Sequence, residues 1–214
     1  MDINAWSHID AVYYINLDHR TDRLVQIESE FDKVCLPFSK RIRISAEFTP
    51  ECGALGCCLS HVKALELFLD SGNGVCIVIE DDFQFTCDAL HVNYMISSVF
   101  QRNIPFDLIM LAGNVGLGQA SNIDILTKVT DGQTTSGYMI TRDFAFALLD
   151  LWRKTAVLIK MNMYGTGSHH YLLACDRTWK KLQPRANWYI FNPRLGTQRE
   201  SYSDIEQRMT NYGC

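Results

Sequence analysis

The sequence predicts an α/β protein whose sheet is mixed but mostly parallel and is flanked by helices. Short apolar segments with the length of buried strands alternate with segments whose apolar residues recur at helical spacing. Of the 214 residues, 47% are apolar and 21% are charged, which is typical of a soluble globular protein. A chain of this length predicts a single domain over residues 1–214, with a core large enough to carry a cleft.

The first strand and the first helix are indicated near the start of the chain. Residues 11–17 are rich in β-branched and aromatic side chains and end at polar positions, the pattern of a buried strand. Thr21 can cap the helix that follows, and Pro37 ends it. One face of this helix is apolar: Leu24, Ile27, Phe31 and Val34.

Two further strands enclose a second helix. Residues 41–45 alternate like a strand, and residues 75–79 form a fully apolar strand after Gly72 and Gly74. Between these strands, apolar residues recur at helical spacing: Leu55, Cys58, Leu59, Val62, Leu65 and Leu69.

Beyond residue 100 the pattern is less regular. Residues 107–111 and 188–191 are typical of strands, and residues 136–140 lead into a helix that Thr141 caps. Residues 171–182 predict one more helix.

Charge and hydropathy disfavour two classes of partner. The chain has 20 Lys and Arg against 24 Asp and Glu, and this net charge of -4 disfavours nucleic acid as the main partner. No apolar run approaches the length of a membrane-spanning helix, and residues 1–10 lack the pattern of a signal peptide. We therefore expect a soluble protein, cytoplasmic by default, either free-standing or one module of a longer chain.

The eight cysteines are too sparse for a disulfide scaffold. Four of them lie in apolar segments, where a reduced thiol packs as a small apolar side chain: Cys57, Cys58, Cys76 and Cys175. Cys52, Cys57 and Cys58 lie near His61, which suggests structural zinc, but this group contains no CxxC pair. We therefore predict core thiols rather than a zinc site.

Three acids, Glu80, Asp81 and Asp82, directly follow the apolar strand of residues 75–79. In open α/β sheets, ligands bind outside the carboxyl ends of the strands, so these acids are expected to face a cleft. Adjacent carboxylates repel one another, and a divalent cation such as Mg²⁺ or Mn²⁺ relieves that repulsion while it binds phosphate oxygens. The alternative is a solvated acidic turn that caps the next segment.

Asn16, Arg20 and Arg23 follow the first strand, at the same edge of the sheet if the strands are parallel. Arginines at the start of a helix can bind phosphates, and the helix N-terminus adds a partial positive charge. The alternative is ordinary ion pairing with nearby acids: Asp18, Asp22 or Glu28. Together with the acids at the strand end, these residues favour a nucleotide site.

Five blocks occur in order between about residues 10 and 206. They are residues 14–23 (YINLDHRTDR), 53–61 (GALGCCLSH), 79–82 (IEDD) and 136–140 (SGYMI), then Asn192-Pro193 with Gln198 and Ser203-Asp204-Ile205. This series resembles glycosyltransferase family 25, the lipopolysaccharide and procollagen galactosyltransferase family. Ordered blocks are more specific than any one of them alone.

The resemblance implies a GT-A-like (Rossmann-like) fold and inverting transfer of a hexose, galactose or glucose, from a UDP-sugar. The acceptor would be a hydroxyl of a saccharide or of a collagen-like hydroxylysine. By position, Glu80 and Asp82 would bind Mn²⁺ or Mg²⁺, with Asp81 orienting the loop between them. The nucleotide pocket would be lined by residues of the first block: Asn16, Leu17, Arg20 and Arg23.

Three more residues of these blocks are candidate donor contacts. Ser60 and His61 lie on a helix in which Gly56 allows a close backbone approach, so contact with sugar or phosphate is one reading and a buried core histidine is the other. Tyr138 either stacks on the base or donor sugar or belongs to the core.

Inverting transfer needs a base that takes the proton of the acceptor hydroxyl. Asp176 follows an apolar segment and matches a later acid of the family, so it is the first candidate, and Asp131 is the second. The alternative for Asp176 is an ion pair with Arg177 or Lys180. Side chains with weaker claims are the doublet His169-His170, as metal ligands or surface loop, and the aromatic residues Trp179, Trp188 and Tyr189, as acceptor platform or core.

Two other functions use the same features. One is a binding module that takes a sugar or a protein on this fold without turnover. The other is a metal-dependent nucleotidyltransferase or phosphohydrolase, which also places acids at a strand end but releases pyrophosphate or phosphate instead of UDP.

Overall fold

The structure is a computed structural model that describes residues 4–116, 121–163, 170–203, 208–210 and 213. Its α-helices are α1 (Thr21–Lys33), α2 (Gly53–Asp70), α3 (Ala89–Gln101), α4 (Arg142–Asn162) and α5 (Cys175–Thr178). Its strands in chain order are β1 (Ala11–Asn16), β2 (Arg41–Ser45), β3 (Val75–Glu80), β4 (Phe83–Phe85), β5 (Leu108–Met110), β6 (Asn114–Val115), β7 (Leu126–Lys128), β8 (Gly132–Gln133), β9 (Gly137–Thr141), β10 (Trp188–Phe191), β11 (Gly196–Gln198), β12 (Ser201–Ser203) and β13 (Arg208–Thr210).

Seven strands form the central sheet, in the order β2-β1-β3-β9-β5-β10-β7. The pairs of β1 with β2, β1 with β3, and β5 with β10 are parallel. Strand β9 is antiparallel to both of its neighbours, and β7 is antiparallel to β10. Five of the seven strands therefore run in one direction, which confirms the predicted mixed, mostly parallel sheet.

The two faces of the sheet are covered by different helices, because side chains alternate along each strand. On one face, Tyr13 and Val78 belong to a core that includes residues of α2 and α4, such as Phe68 and Trp152. On the other face, strand residues pack with residues of α1 and α3, such as Phe31. The three-layer α/β arrangement is the predicted class.

The early elements begin and end close to the predicted positions. One local detail differs: α1 begins at Thr21 and its N-cap is Arg20, so Thr21 is the first helical residue and not the cap. Thr141 is the N-cap of α4, but its side chain makes no capping hydrogen bond.

Two parts of the chain differ from the expectation. The helix predicted over residues 171–182 is a series of short pieces, 3-10 turns at His170–Leu173, Trp179–Lys181 and Gln183–Arg185 around the single turn of α5. Helix α3 was not predicted. Among the described residues, no helix is both long and apolar enough to cross a membrane.

Candidate functional site

The candidate site lies at one edge of the sheet, where the parallel strands β1, β2 and β3 end. Asn16 ends β1 beside Ser45 of β2, and Glu80 of β3 pairs with Ile15. Strand β9 begins at the same edge because it is antiparallel to β3, and Glu80 N–H donates to the Ser136 carbonyl at 2.9 Å. The edge thus joins the first, third and fourth blocks of the sequence.

The first group at this edge is the carboxylate cluster, which we define as Asn16, Arg23, Asp81 and Asp82. The Arg23 Nη1 group donates to Asp81 Oδ1 at 2.9 Å and to Asp82 Oδ2 at 3.4 Å. The Asn16 Nδ2 group donates to Asp81 Oδ2 at 2.7 Å. All four side chains are buried, so one guanidinium and one amide face two carboxylates away from bulk water.

Asp82 is the least neutralised acid of the carboxylate cluster. Its Oδ2 atom also accepts a hydrogen bond from Gln198 Nε2 at 3.1 Å, whereas its buried Oδ1 atom has no hydrogen-bond partner among the described residues. Burial raises the pKa of Asp82 to about 7, the charges of Glu80 and Asp81 add to the rise, and Arg23 opposes it. One oxygen of this side chain is therefore buried without a hydrogen bond among the described residues, close to the negative charges of Glu80 and Asp81.

Asp81 is held more firmly, since both of its oxygens are engaged. Burial raises its pKa, and the charge of Arg23 together with the Asn16 hydrogen bond opposes that rise. Asp81 thereby ties the end of β3 to β1 and to α1.

The remaining residues of the first block lie beside this cluster. Arg20 makes a two-point ion pair with Asp22, with both distances 3.0 Å, and Leu17 is half-buried directly after β1. Arg43 donates to Asn16 Oδ1 at 2.8 and 3.0 Å and to Asp18 at 2.7 Å. The edge is therefore rich in guanidinium groups near the end of β1.

Glu80 faces a different set of partners from those of Asp81 and Asp82. Its Oε1 atom accepts hydrogen bonds from Thr135 Oγ1 at 2.6 Å and lies 3.0 Å from His61 Nε2. Burial would raise the pKa of Glu80, but the hydrogen bond and charge of His61 outweigh it and hold the pKa below its usual value. Burial would lower the pKa of His61, but hydrogen bonds to Cys57 and Glu80 outweigh it and raise the pKa to about 9.

The three candidate donor contacts, Ser60, His61 and Tyr138, are all buried. His61 is fully buried, and its Nδ1 atom lies 3.2 Å from the hydroxyl of Tyr138. The Tyr138 ring is also fully buried and packs edge-on against Trp152 and Trp179, so its surface is covered by core residues. Ser60 donates to the Gly56 carbonyl at 2.7 Å and accepts from Glu47 N–H at 2.8 Å.

Gly56 permits a close approach, as expected, but the approaching group belongs to this chain. A Cβ atom at Gly56 would overlap the Glu47 carbonyl oxygen. The glycine therefore lets the segment after β2 pack against α2, where Ser60 fixes it.

The second group is the thiol–imidazole cluster, which we define as Cys57, His61 and Cys175. Their ligand atoms all lie within 4.8 Å of one another, and the two Sγ atoms are 3.7 Å apart. No other group of three metal-ligating side chains meets this distance among the described residues, so the acids at 80–82 do not form one by themselves. Cys58 instead bonds to the Trp152 carbonyl, and Cys52 is buried outside the cluster.

Asp176 adjoins this second group, because it directly follows Cys175. Its Oδ2 atom accepts a hydrogen bond from Thr134 N–H at 3.2 Å. Burial raises the pKa of Asp176, the Thr134 hydrogen bond opposes that rise, and the charge of Glu80 adds to it. Thr134 has a φ of +81°, a conformation that is strained for a β-branched residue.

Asp131, the second candidate base, pairs with Lys180 and is mostly exposed. Lys180, one of the two alternative ion-pair partners of Asp176, pairs with Asp131 instead. The aromatic candidates Trp179, Trp188 and Tyr189 are buried. Of their two alternatives, acceptor platform or core, burial favours the core. His169, Asp204 and Ile205 lie outside the described residues, as does the side chain of His170.

Sequence reasoning missed four residues that contact the predicted ones: Arg43, Thr134, Thr135 and Gln198. Gln198 stood in the last sequence block, which was a usable signal. Arg43 had a weaker signal: arginines alternate along β2, and a parallel strand beside β1 ends at the same edge of the sheet. Nothing in the sequence indicated that Thr134 and Thr135 would link Glu80 to Asp176.

Comparisons with known proteins support the fold. No protein-family model and no curated protein matches the sequence. The structure is similar to that of mannose-1-phosphate geranyltransferase from Thermus thermophilus, with a TM-score of 0.50 and 6% identity over 86% of this chain and 73% of that one. A glycosyltransferase involved in the glycosylation of the major capsid of PBCV-1 matches with a TM-score of 0.49 and 7% identity, over 93% of this chain and 90% of that one.

These likenesses concern the fold, because the sequence identities are below 10%. Together with the seven-stranded sheet, the likeness to the Thermus thermophilus enzyme confirms the predicted GT-A-like α/β fold class.

Proposed function

We propose that this protein is a metal-dependent inverting hexosyltransferase of the glycosyltransferase family 25 type, with a UDP-sugar as donor. The observation that carries the proposal is Asp82, a buried carboxylate at the carboxyl edge of the sheet with a pKa raised to about 7 and with one buried oxygen that has no hydrogen-bond partner in the part of the chain that the structure describes. Such a carboxylate gains from a cation brought by an anionic ligand.

The donor set at this edge fits a hard divalent cation. Asp82 Oδ1 is an oxygen ligand of the kind that Mn²⁺ and Mg²⁺ prefer, and the neighbouring acids supply charge. Glu80 uses Oε1 for Thr135 and His61, so Oε2 is the atom it would offer to the cation. A bound cation would stabilise the negative charge that develops on the departing diphosphate.

The protein's own residues would orient the nucleotide. Asn16 and Arg23 hold Asp81 in place, and Asp81 fixes the turn that carries Asp82. Arg20 and Leu17 follow β1 at the opening of α1, where the helix N-terminus favours phosphate oxygens. We assign the diphosphate to this opening and the ribose to the end of β1.

Asp176 would serve as the base. Its raised pKa brings the carboxylate closer to the value at which a base accepts a proton efficiently near neutral pH. The Thr134 N–H holds one oxygen, which leaves the other for the acceptor hydroxyl. His61 and Tyr138 would act as positioning residues for Glu80 rather than as donor contacts, since both side chains are fully buried.

The first experiment is an assay of UDP release. The protein is incubated with Mn²⁺ and each of a panel of UDP-sugars, with and without acceptor saccharides or hydroxylysine peptides. We expect release with one donor, an increase with the correct acceptor, and loss of activity on chelation. Release that persists after chelation would contradict the metal dependence.

The same samples test the other functions. Pyrophosphate or phosphate as the product would identify a nucleotidyltransferase or a phosphohydrolase and contradict sugar transfer. Donor binding without release under every condition would identify a binding module.

A further inference from the structure

The thiol–imidazole cluster is the chemical feature of the site that the proposed function does not use. It brings together two residues of α2, Cys57 and His61, and one residue of α5, Cys175. Cys57 and Cys175 are 118 positions apart in sequence. We propose that Cys57, His61 and Cys175 form a binding site for a soft divalent metal ion of the zinc class, separate from the cation at Asp82.

The distance between the sulfur atoms fits this assignment. Two thiolates at about 2.3 Å from a tetrahedral zinc ion are about 3.8 Å apart. The Sγ atoms of Cys57 and Cys175 are 3.7 Å apart, and the ring of His61 contributes a third ligand atom within 4.8 Å of both. A disulfide would need the sulfur atoms to approach to about 2.05 Å, so the present spacing matches a shared ion more closely.

The surroundings of His61 fit as well. A histidine that binds a metal through one ring nitrogen normally has a hydrogen-bond partner at the other. In this structure Nε2 faces Glu80 at 3.0 Å and Nδ1 faces the hydroxyl of Tyr138 at 3.2 Å. Whichever nitrogen binds the ion, the other keeps a fixed partner.

The ligand chemistry separates this site from the carboxylate cluster. Thiolate and imidazole select zinc, whereas oxygen ligands select Mg²⁺ or Mn²⁺. Both thiols are protonated before binding. The hydrogen bond to Cys175 and burial raise the pKa of Cys57, whereas the hydrogen bond from Cys57 lowers the pKa of Cys175 and burial outweighs it. Metal binding therefore releases the two thiol protons and one proton of the His61 imidazolium to solvent, and it weakens as the pH falls.

Such an ion would link two elements that otherwise meet through few polar contacts. Helix α5 is a single turn, and it begins at Cys175. A metal bound to Cys175 and to two residues of α2 would fix the start of α5 to the long helix, next to Asp176. The positioning effect on Asp176 rests on the proposed function, whereas metal binding itself does not.

The test uses the whole protein, reduced with a phosphine and freed of metal, titrated with Co²⁺ as a spectroscopic substitute for Zn²⁺. We expect one equivalent of Co²⁺ to give thiolate-to-cobalt charge-transfer absorption with the intense d–d bands of a tetrahedral site, and Zn²⁺ to displace it. In Cys57→Ala and Cys175→Ala we expect about 100-fold weaker binding or more, since loss of even an outer partner typically costs 10–100-fold.

Two variants serve as controls. Cys58→Ala removes the adjacent thiol of the same helix, which bonds to Trp152 and lies outside the cluster, and it should keep the cobalt spectrum. Asp82→Asn should also keep the cobalt spectrum, because a carboxylate site gives no thiolate band. This variant removes the cation site of the proposed function, so it shows whether the thiol site binds metal independently of that function. Circular dichroism checks the folding of each variant, and the half-buried Cys57 provides the test if Cys175→Ala does not fold.

Three results would overturn the proposal. These are the absence of a thiolate band with Co²⁺, its persistence in both cluster variants, and a reduced protein that takes up no metal but loses two titratable thiols on air oxidation. The last result would identify Cys57 and Cys175 as a pair that O₂ or another oxidant converts to a disulfide, with loss of two protons and two electrons.

Discussion

The carboxylate cluster and the thiol–imidazole cluster lie on opposite sides of Glu80 and differ in chemistry. The first holds two carboxylates against one guanidinium, and one buried oxygen of Asp82 has no hydrogen-bond partner within the described ranges. The second pairs Glu80 with His61, which has the opposite charge when protonated, beside two thiols. At the same strand end, the charge of Asp82 is thus only partly neutralised, whereas the charge of Glu80 is neutralised by His61.

This difference indicates that the two clusters have different roles. Burying a charge without full compensation costs free energy, and folds keep such groups where a ligand repays that cost. Under the proposed function, the carboxylate cluster is such a place. The neutralised side instead stabilises the structure around the candidate base. The predictions below disturb one side at a time.

The largest effect is expected from Asp82→Asn, which removes the charge of the under-neutralised acid and keeps its size. We expect the rate of UDP release to fall by about 10³-fold, comparable to the loss of a key electrostatic group in an active site. The rate is measured at saturating donor, with Asp124→Asn as the matched control because Asp124 forms an exposed ion pair with Arg102. A rate above one third of the wild-type value would remove Asp82 from the mechanism.

The next effect tests the side that carries the base. Asp176→Asn should lower kcat by about 10²-fold while the affinity for the donor stays within about twofold, since a base acts on the acceptor hydroxyl. Asp131→Asn is the matched variant, because Asp131 is exposed and paired with Lys180. If Asp131→Asn lowers kcat and Asp176→Asn does not, the base is Asp131.

A smaller effect concerns the packing under the carboxylate cluster. A Cβ atom at Gly196 would overlap the Phe83 ring, which is fully buried beside Asp82. Gly196→Ala should lower the free energy of unfolding by about 1–3 kcal/mol, the usual cost of overpacking. Chemical denaturation measures it, with Gly74→Ala as control because that Cβ would meet only Asp10, at 3.7 Å. An equal loss in both variants would contradict the proposed contact.

The smallest effect is the dependence of stability on pH. Asp82 has a folded pKa of about 7 against an ordinary value of 3.8, so its stabilising contribution is complete below 3.8 and is lost as the pH rises to about 7. His61 has a folded pKa of about 9 against 6.5, so its contribution is complete below 6.5 and is lost as the pH rises to about 9. We expect the melting temperature of the metal-free protein to fall by a few degrees between about pH 4 and 9.

The same measurement on Asp82→Asn distinguishes the two sides. Without the Asp82 carboxyl, the decline between about pH 4 and 7 should flatten, and the decline between about pH 7 and 9, which belongs to His61, should remain. An unchanged curve would show that Asp82 ionises normally in the folded protein.

The sequence predicts the first three strands of the sheet within one residue at each end. Residues 11–17 and 75–79 are apolar runs rich in β-branched side chains, and residues 41–45 alternate, so both patterns have few other ways to be buried. The sequence also contains the signals of helix α3: Asp88 is its N-cap, and Val92, Ile96 and Val99 recur at helical spacing on its buried face. The antiparallel insertion of β9 has no local signal, because the direction of a strand depends on the connection and not on its residues.

The candidate site was only half predictable. The approach of Arg23 to Asp81 follows from parallel strands that end at one edge, and the sequence contains that information. The meeting of Cys57 with Cys175 does not follow from spacing, because the two residues come together only when the short turns after α4 fold back on α2. The expected long helix over residues 171–182 would have hidden this contact.

The most direct test of the central claim is a calorimetric titration of UDP into the protein with and without Mn²⁺. We predict binding that is at least about tenfold tighter with Mn²⁺ in the wild type and in Asp124→Asn, a gain of about 1.4 kcal/mol, and no such gain in Asp82→Asn. Equal UDP affinity with and without Mn²⁺, or a gain that survives in Asp82→Asn, would contradict the claim that Asp82 holds the cation of a nucleotide-sugar donor.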